Sequence, residues 1–371
     1  MLKPGPSKRM RITDRKHRFF SFFISMVHSK KKTFHPFCYS GFAAALLFLC
    51  CFYLISFCSL AKGIVQTTEQ IYSYFEMEED IARFYATAPT GVFSYRSLGK
   101  TGQGRNLYLM VLGNPYASNK ILISASIHAR EYMASQLVMR MAEHYLEYYD
   151  NGSIAGIKYC ELFNNTCFYI LPMMNPDGIS LVQFGTASLK DDVLKEFYSV
   201  FTAKQLSQLK ANASGVDLNR NFPYGFGGGE DISPLPGLFN YPGLVPLSEK
   251  ESKVMASLVD SEKFKACINY HTQGRVVYYG QYDNTPQTAI KAFQMAYMVH
   301  QLTGYKPENK GIPGGSGSFA NYFQTVQDAP SVTIEIGSGG SPVAIDQFDG
   351  IFNENLAIWG IIAYYIHEGM F

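Results

Sequence analysis

Four short motifs carry the residue types that cut amide bonds. They are His128-Ala129-Arg130-Glu131, Asp217-Leu218-Asn219-Arg220-Asn221, Asn269-Tyr270-His271-Thr272-Gln273 and Thr333-Ile334-Glu335-Ile336-Gly337. A catalytic zinc needs three protein ligands and one open position. His128 and Glu131, three residues apart, supply two ligands on one side of a tight turn, and His271 supplies a third. Glu335 adds a carboxylate suited to taking a proton from an attacking water. Asn219 and Arg220 set an amide beside a guanidinium, the fork that grips a carboxylate through parallel hydrogen bonds. Asp217 can accept the free ring N–H of a ligating histidine. Each motif alone has a bland explanation: an acidic helix start, a core histidine, a polar loop, a solvated strand face. Their company is what points to zinc-dependent hydrolysis of a peptide near a free carboxylate.

The elements that must hold these residues follow from the hydrophobic pattern. Ile121–Ile127 reads as a buried strand, and Leu137, Val138, Met141, Tyr145 and Leu146 then recur at helical spacing. His128 and Glu131 would therefore sit at a strand's C-terminal end, where open α/β sheets bind ligands. Ala266–Tyr270 is another apolar run, ending at His271. Val332, Ile334 and Ile336 alternate with Thr333 and Glu335, which places the carboxylate on one face of a strand. Cys167–Met174 reads as a strand leading into Asn175-Pro176-Asp177-Gly178. Ser248 and Glu251 have capping-box spacing for a helix running toward Val259. Residues 287–302 and 353–367 read as further helices. The pattern predicts one α/β/α three-layer domain around a mixed, mostly parallel sheet.

With these motifs in this order, the chain resembles the zinc metallocarboxypeptidases of the carboxypeptidase A type, most closely their bacterial γ-D-glutamyl-diaminopimelate peptidase-like branch. The resemblance runs from about Thr67 to Phe371. It takes in Leu98-Gly99-Lys100-Thr101-Gly102-Gln103-Gly104-Arg105 and Asn175–Gly178. It implies one Zn²⁺ on His128, Glu131 and His271, with Glu335 as general base and Asp217 orienting His128. It implies Asn219 and Arg220 on the substrate carboxylate, with Arg130 and Asn321 completing the substrate-binding set. Two departures stand out. The family's Arg upstream of Asp-x-Asn-Arg is missing, and Lys210 is the nearest cation to take the oxyanion. The family's mobile Tyr has no counterpart in Lys306–Phe319, and Tyr305 is the nearest tyrosine. Ala320-Asn321-Tyr322 aligns with the specificity segment and offers no acid for a Lys or Arg side chain. A small polar lining suits a polar or zwitterionic side chain such as diaminopimelate.

The 371 residues carry a strong internal asymmetry. Residues 1–40 hold ten Lys/Arg and one acid, Asp14, and Gly41–Ala61 is an uncharged, mostly apolar run of 21 residues closed by Lys62. That length spans a bilayer as one helix. The basic flank predicts a cytoplasmic N-terminus and an external domain over residues 63–371. A cleaved signal peptide is the competing reading, but forty basic-flank residues are long for one and no small-x-small site follows. The rest of the chain has 22 basic and 29 acidic residues, a net charge of −7, so nothing indicates a nucleic-acid partner. Only Cys160, Cys167 and Cys267 fall in the outer domain. Cys160 and Cys167 could pair or simply be buried, and an odd count is no disulfide scaffold.

The leading expectation is a membrane-anchored, externally facing zinc peptidase acting on peptidoglycan stem peptides. A general carboxypeptidase for protein C-termini and a zinc amidase or deacylase are the alternatives. A non-catalytic binding module should have lost one of His128, Glu131, His271 or Glu335.

Overall fold

The computed structural model describes residues 63–229, 231–280, 285–309 and 316–370. The basic segment and the apolar run expected to anchor the chain lie outside the described residues. No helix among the described residues is long and apolar enough to cross a membrane.

The chain opens with α1 (Tyr74–Thr87), β1 (Phe93–Lys100), β2 (Asn106–Gly113) and β3 (Asn119–Ala125). Then come α2 (Met133–Glu147), the small hairpin β4 (Ser153–Ile154) and β5 (Ile157–Lys158), α3 (Tyr159–Asn165) and β6 (Thr166–Leu171). Four helices follow: α4 (Pro176–Phe184), α5 (Asp192–Ser199), α6 (Ala203–Leu206) and α7 (Lys250–Ser261). The last third holds β7 (Ala266–Thr272), β8 (Val276–Tyr278), α8 (Pro286–Thr303), β9 (Lys306–Glu308), α9 (Phe319–Gln327) and β10 (Ser331–Ile336). It closes with α10 (Phe348–Asn355) and α11 (Ile358–His367).

Eight strands form one sheet in the order β1-β2-β6-β3-β7-β10-β8-β9. The central four, β6, β3, β7 and β10, are mutually parallel. β1, β2 and β8 join antiparallel. Parallel strands buried on both faces read as continuous apolar runs, which is what β3 and β7 show. Their alternation still sorts the residues. Ile121, Ile123, Ile268, Tyr270, Val332 and Ile334 pack with α1, α2, α8 and α11. Leu122 and Cys267 face the other way, with α7 and α9. The result is the expected three-layer α/β/α domain. His271 shares the face of Cys267, and Glu335 lies directly beside it, because β10 and β7 pair Glu335 with His271 in register.

Trp359 anchors the first layer. It is fully buried, stacks on Tyr145 with ring centroids 5.7 Å apart and 9° between planes, and donates from Nε1 to the Tyr270 hydroxyl at 3.1 Å. Trp359→Ala should lower unfolding free energy by about 3–5 kcal/mol in urea titration. A loss below about 1 kcal/mol would show that the site collapses without cost.

Two local expectations need correction. Residues 353–367 are two helices, not one. The Tyr145 hydroxyl wedges between them, donating to Leu356 O at 2.6 Å and accepting from Gly360 N at 3.0 Å, in place of a direct bond between those backbone groups. Ser248 does not cap α7; Glu249 occupies that position. The Ser248 hydroxyl is committed elsewhere, donating to Glu249 Oε1 and accepting from Asn221 Nδ2, both at 2.9 Å. Glu251 is drawn inward to 2% exposure, and burial pushes its carboxyl up to about 8. Cys160 and Cys167 are free thiols.

Candidate metal centre and substrate cleft

The turn after β3 begins at Ser126, whose φ of 56° is unusual for a residue with a side chain. Its hydroxyl stabilises the bend by donating to Glu131 O at 2.9 Å and accepting from Ser135 N at 3.0 Å. The next residues close a single 3-10 turn, Ala129–Glu131. That turn puts His128 and Glu131 on one side. A second loop is bound beneath it. Ala129 N donates to Lys210 O at 3.1 Å and Arg130 N to Leu209 O at 2.9 Å. Asn175 Nδ2 donates to both Ile127 O and Ala211 O at 3.2 Å. Gly178 permits this closeness: a Cβ there would lie 2.6 Å from Ala211 O and 2.8 Å from the Ala129 Cβ. Asp177, at 1% exposure, ties in the Gly102–Arg105 turn through Arg105 Nη1 at 2.8 Å and Gln103 N at 2.8 Å.

His128 Nδ1 lies 2.9 Å from Glu131 Oε1, and His271 Nδ1 lies 2.9 Å from Glu131 Oε2. One ligand atom from each of the three residues falls within 4.8 Å of the others. All three side chains are buried yet border the cleft. Two imidazole nitrogens and a carboxylate oxygen converging on an open side fit a catalytic zinc. Asp217 Oδ1 is 3.4 Å from the far ring nitrogen, Nε2, the arrangement that leaves Nδ1 free to ligate. Asp217 is itself held by Asn219 N at 3.0 Å and Asn240 N at 3.3 Å. Burial alone would lower His128, but Glu131 and Asp217 outweigh it and raise the imidazole to about 9. Burial alone would raise both carboxylates. The histidines hold Glu131 well below the usual range, and His128, Lys210 and Arg220 bring Asp217 to about 2.

Beside these residues lies a cleft of about 270 Å³. His128, Glu131 and His271 form one wall. Glu335, Thr333 and Tyr278 come from the sheet, Asn219 and Arg220 from the turn Leu218–Arg220, and Arg130, Lys210 and Asp217 from the two loops. Ser316, Ser318 and Ala320 supply small surfaces. Of the residues expected from sequence, one is set apart. Asn321 does not line the cleft: it is 1% exposed and donates to Tyr224 O at 3.2 Å. Ser318 caps α9, and that start puts Ala320 on the cleft and Asn321 away from it. Asn219 Oδ1 accepts from Phe319 N at 3.0 Å, so its amide nitrogen is the end left for a ligand. Arg220 Nε donates to Asn240 Oδ1 at 3.3 Å. Tyr305 is fully buried and donates to Glu354 at 2.8 Å, so it is no mobile tyrosine at this site. Tyr278, Thr333, Ser316 and Ser318 were not anticipated. The alternation in β10 could have flagged Thr333, which shares Glu335's face.

A zinc carboxypeptidase family model matches residues 78–348, and the chain belongs to that family, as its fold and its His-Glu-His centre already implied. It is a zinc metallopeptidase. It is 32% identical over 302 residues to γ-D-glutamyl-L-diamino acid endopeptidase 1 of Lysinibacillus sphaericus, covering 78% of this chain and 72% of the relative. It is 28% identical to bovine carboxypeptidase O, over 68% of this chain and 66% of that one. The crystal structure of carboxypeptidase A from Helicoverpa armigera shares the fold, with a TM-score of 0.59 at 20% identity over 94% of this chain and 85% of that one.

Proposed function

We propose that this peptidase is anchored by residues 41–62 with its catalytic domain outside the cell, and that it cuts the bond between γ-D-glutamate and diaminopimelate in peptidoglycan stem peptides. The observation that carries the substrate is the 32% identity, over most of both chains, to a relative named for a γ-D-glutamyl-L-diamino acid bond. The cleft agrees in character. Its small side is Ser316, Ser318 and Ala320, which favours a polar, zwitterionic side chain over a large apolar or singly basic one.

His128, Glu131 and His271 would hold the zinc, which when bound supplies Lewis acidity for the scissile carbonyl and lowers the pKa of water. Glu335 accepts the proton of the attacking water and returns it to the leaving amine. Asn219 and Arg220 orient the substrate by its free carboxylate. Lys210 faces the negative charge that grows on the carbonyl oxygen.

Two expected results follow from these roles. Arg220→Ala should weaken kcat/KM on a substrate with a free carboxylate by about 2–4 kcal/mol, and far less on its amidated form. Equal losses on both would refute the clamp. Lys210→Met should lower kcat roughly a hundredfold with little change in KM, because the charge it meets exists mainly in the transition state. Unchanged kcat would exclude Lys210 from the oxyanion role.

The functional test is incubation of the full chain, in detergent, with defined muropeptides and with ordinary C-terminal peptides, with and without a chelator. Chelator-sensitive release of diaminopimelate-containing fragments is expected; release of free C-terminal amino acids alone would favour a general carboxypeptidase. External protease added to spheroplasts should degrade residues 63–371, and full protection would contradict the outward placement.

A further inference from the structure

We infer that Arg130 receives the α-carboxylate that a γ-linked glutamyl residue leaves free on the N-terminal side of the scissile bond. The inference rests on the substrate proposed above and adds what recognises its unusual linkage. Among the described residues, three Lys/Arg side chains line the cleft: Arg130, Lys210 and Arg220. An ordinary peptide offers two anions near the bond, its terminal carboxylate and the developing oxyanion, which Arg220 and Lys210 would meet. A γ-linkage carries the chain through the glutamyl side chain, so the α-carboxylate remains as a third anion.

Arg130 is placed and equipped to take it. It lies within the metal turn itself, between His128 and Glu131, and its surroundings differ from those of Arg220. Arg220 sits against Asn240. Arg130 sits against Gln208, whose amide in turn donates to Ser341 O at 2.9 Å. The two guanidinium groups thus come from separate loops bordering the cleft, as two carboxylates on either side of one bond require. Arg130 is also largely unspent. Its Nε is buried without a partner. Its Nη1 makes only long contacts to Gln208, at 3.4 and 3.5 Å. Arg105, by contrast, is paired with a carboxylate, Asp177 at 2.8 Å, and donates to Ser188 O at 3.0 Å. A half-buried guanidinium with open donors and no carboxylate partner among the described residues is a receptor for an incoming carboxylate, and its planar fork favours a bidentate grip.

The test compares two peptides, L-Ala-γ-D-Glu-diaminopimelate and the same peptide with the glutamyl α-carboxylate converted to a carboxamide. Wild-type kcat/KM should favour the free acid on the order of 10- to 100-fold. Arg130→Gln should bring that ratio close to one, mainly through KM on the acid, and Arg130→Lys should keep part of it. Zinc content measured on each variant confirms that the metal turn survives. Wild type cutting both peptides equally well would overturn the assignment, as would Arg130→Gln depressing both by the same factor. A wild type that cuts neither γ-linked peptide yet cuts α-linked C-terminal peptides would instead sink the substrate reading, and the role of Arg130 with it.

Discussion

Glu335→Gln is expected to bind zinc like the wild type and to lose turnover by roughly 100- to 10,000-fold, the range that general acid–base groups contribute. The amide keeps the size and much of the polarity of the carboxylate but cannot carry the proton. Glu335 is half-exposed on β10, paired in register with His271 on β7, and adjacent strands lie only about 4.8 Å apart. It therefore faces the metal centre from a rigid strand without belonging to the ligand cluster. Zinc stoichiometry by mass spectrometry and single-turnover kinetics would be read on the same preparation. Near-normal turnover would show that another group moves the proton. Loss of zinc would show that Glu335 is a ligand.

His271→Ala should have the opposite signature. It removes one of three ligands and, among the described residues, leaves Glu131 Oε2 with only Thr272 N at 3.3 Å as a hydrogen-bonding neighbour. Zinc affinity should fall by well over the roughly 10- to 100-fold that loss of an outer hydrogen-bonding partner costs, and activity should fall with it. Asp217→Asn provides the milder comparison, because Asp217 contacts only the far nitrogen of His128. Competition with a chromogenic chelator would rank the three proteins. Equal zinc affinity in His271→Ala and wild type would exclude His271 from the centre.

What the chain reveals before folding, and what it hides, follows from where each residue gets its position. His128, His271 and Glu335 end or follow apolar strand segments, and parallel strands buried on both faces advertise themselves as such runs. Their convergence follows once those strands are neighbours. Glu335 was the plainest, since period-two alternation fixes its face. Tyr278 was hidden because β8 is only three residues long, and it reaches the cleft through an antiparallel pairing that sets it opposite Thr333. Asn321 misled because one residue of helix start decides whether it or Ala320 lines the cleft. The break between α10 and α11 depends on a hydroxyl from Tyr145, some two hundred residues earlier in the chain, and local periodicity carries no trace of it. Ser248 had the spacing of a cap, but Asn221 and Glu249 bind its hydroxyl first.

The most direct measurement of the central claim is an anomalous difference map at the zinc edge from crystals of the zinc-loaded protein. The account predicts one dominant peak about 2.0–2.2 Å from His128 Nδ1, His271 Nδ1 and a carboxylate oxygen of Glu131, open toward Glu335. A zinc peak on other side chains, or none at this centre in protein that still cleaves peptide, would contradict it.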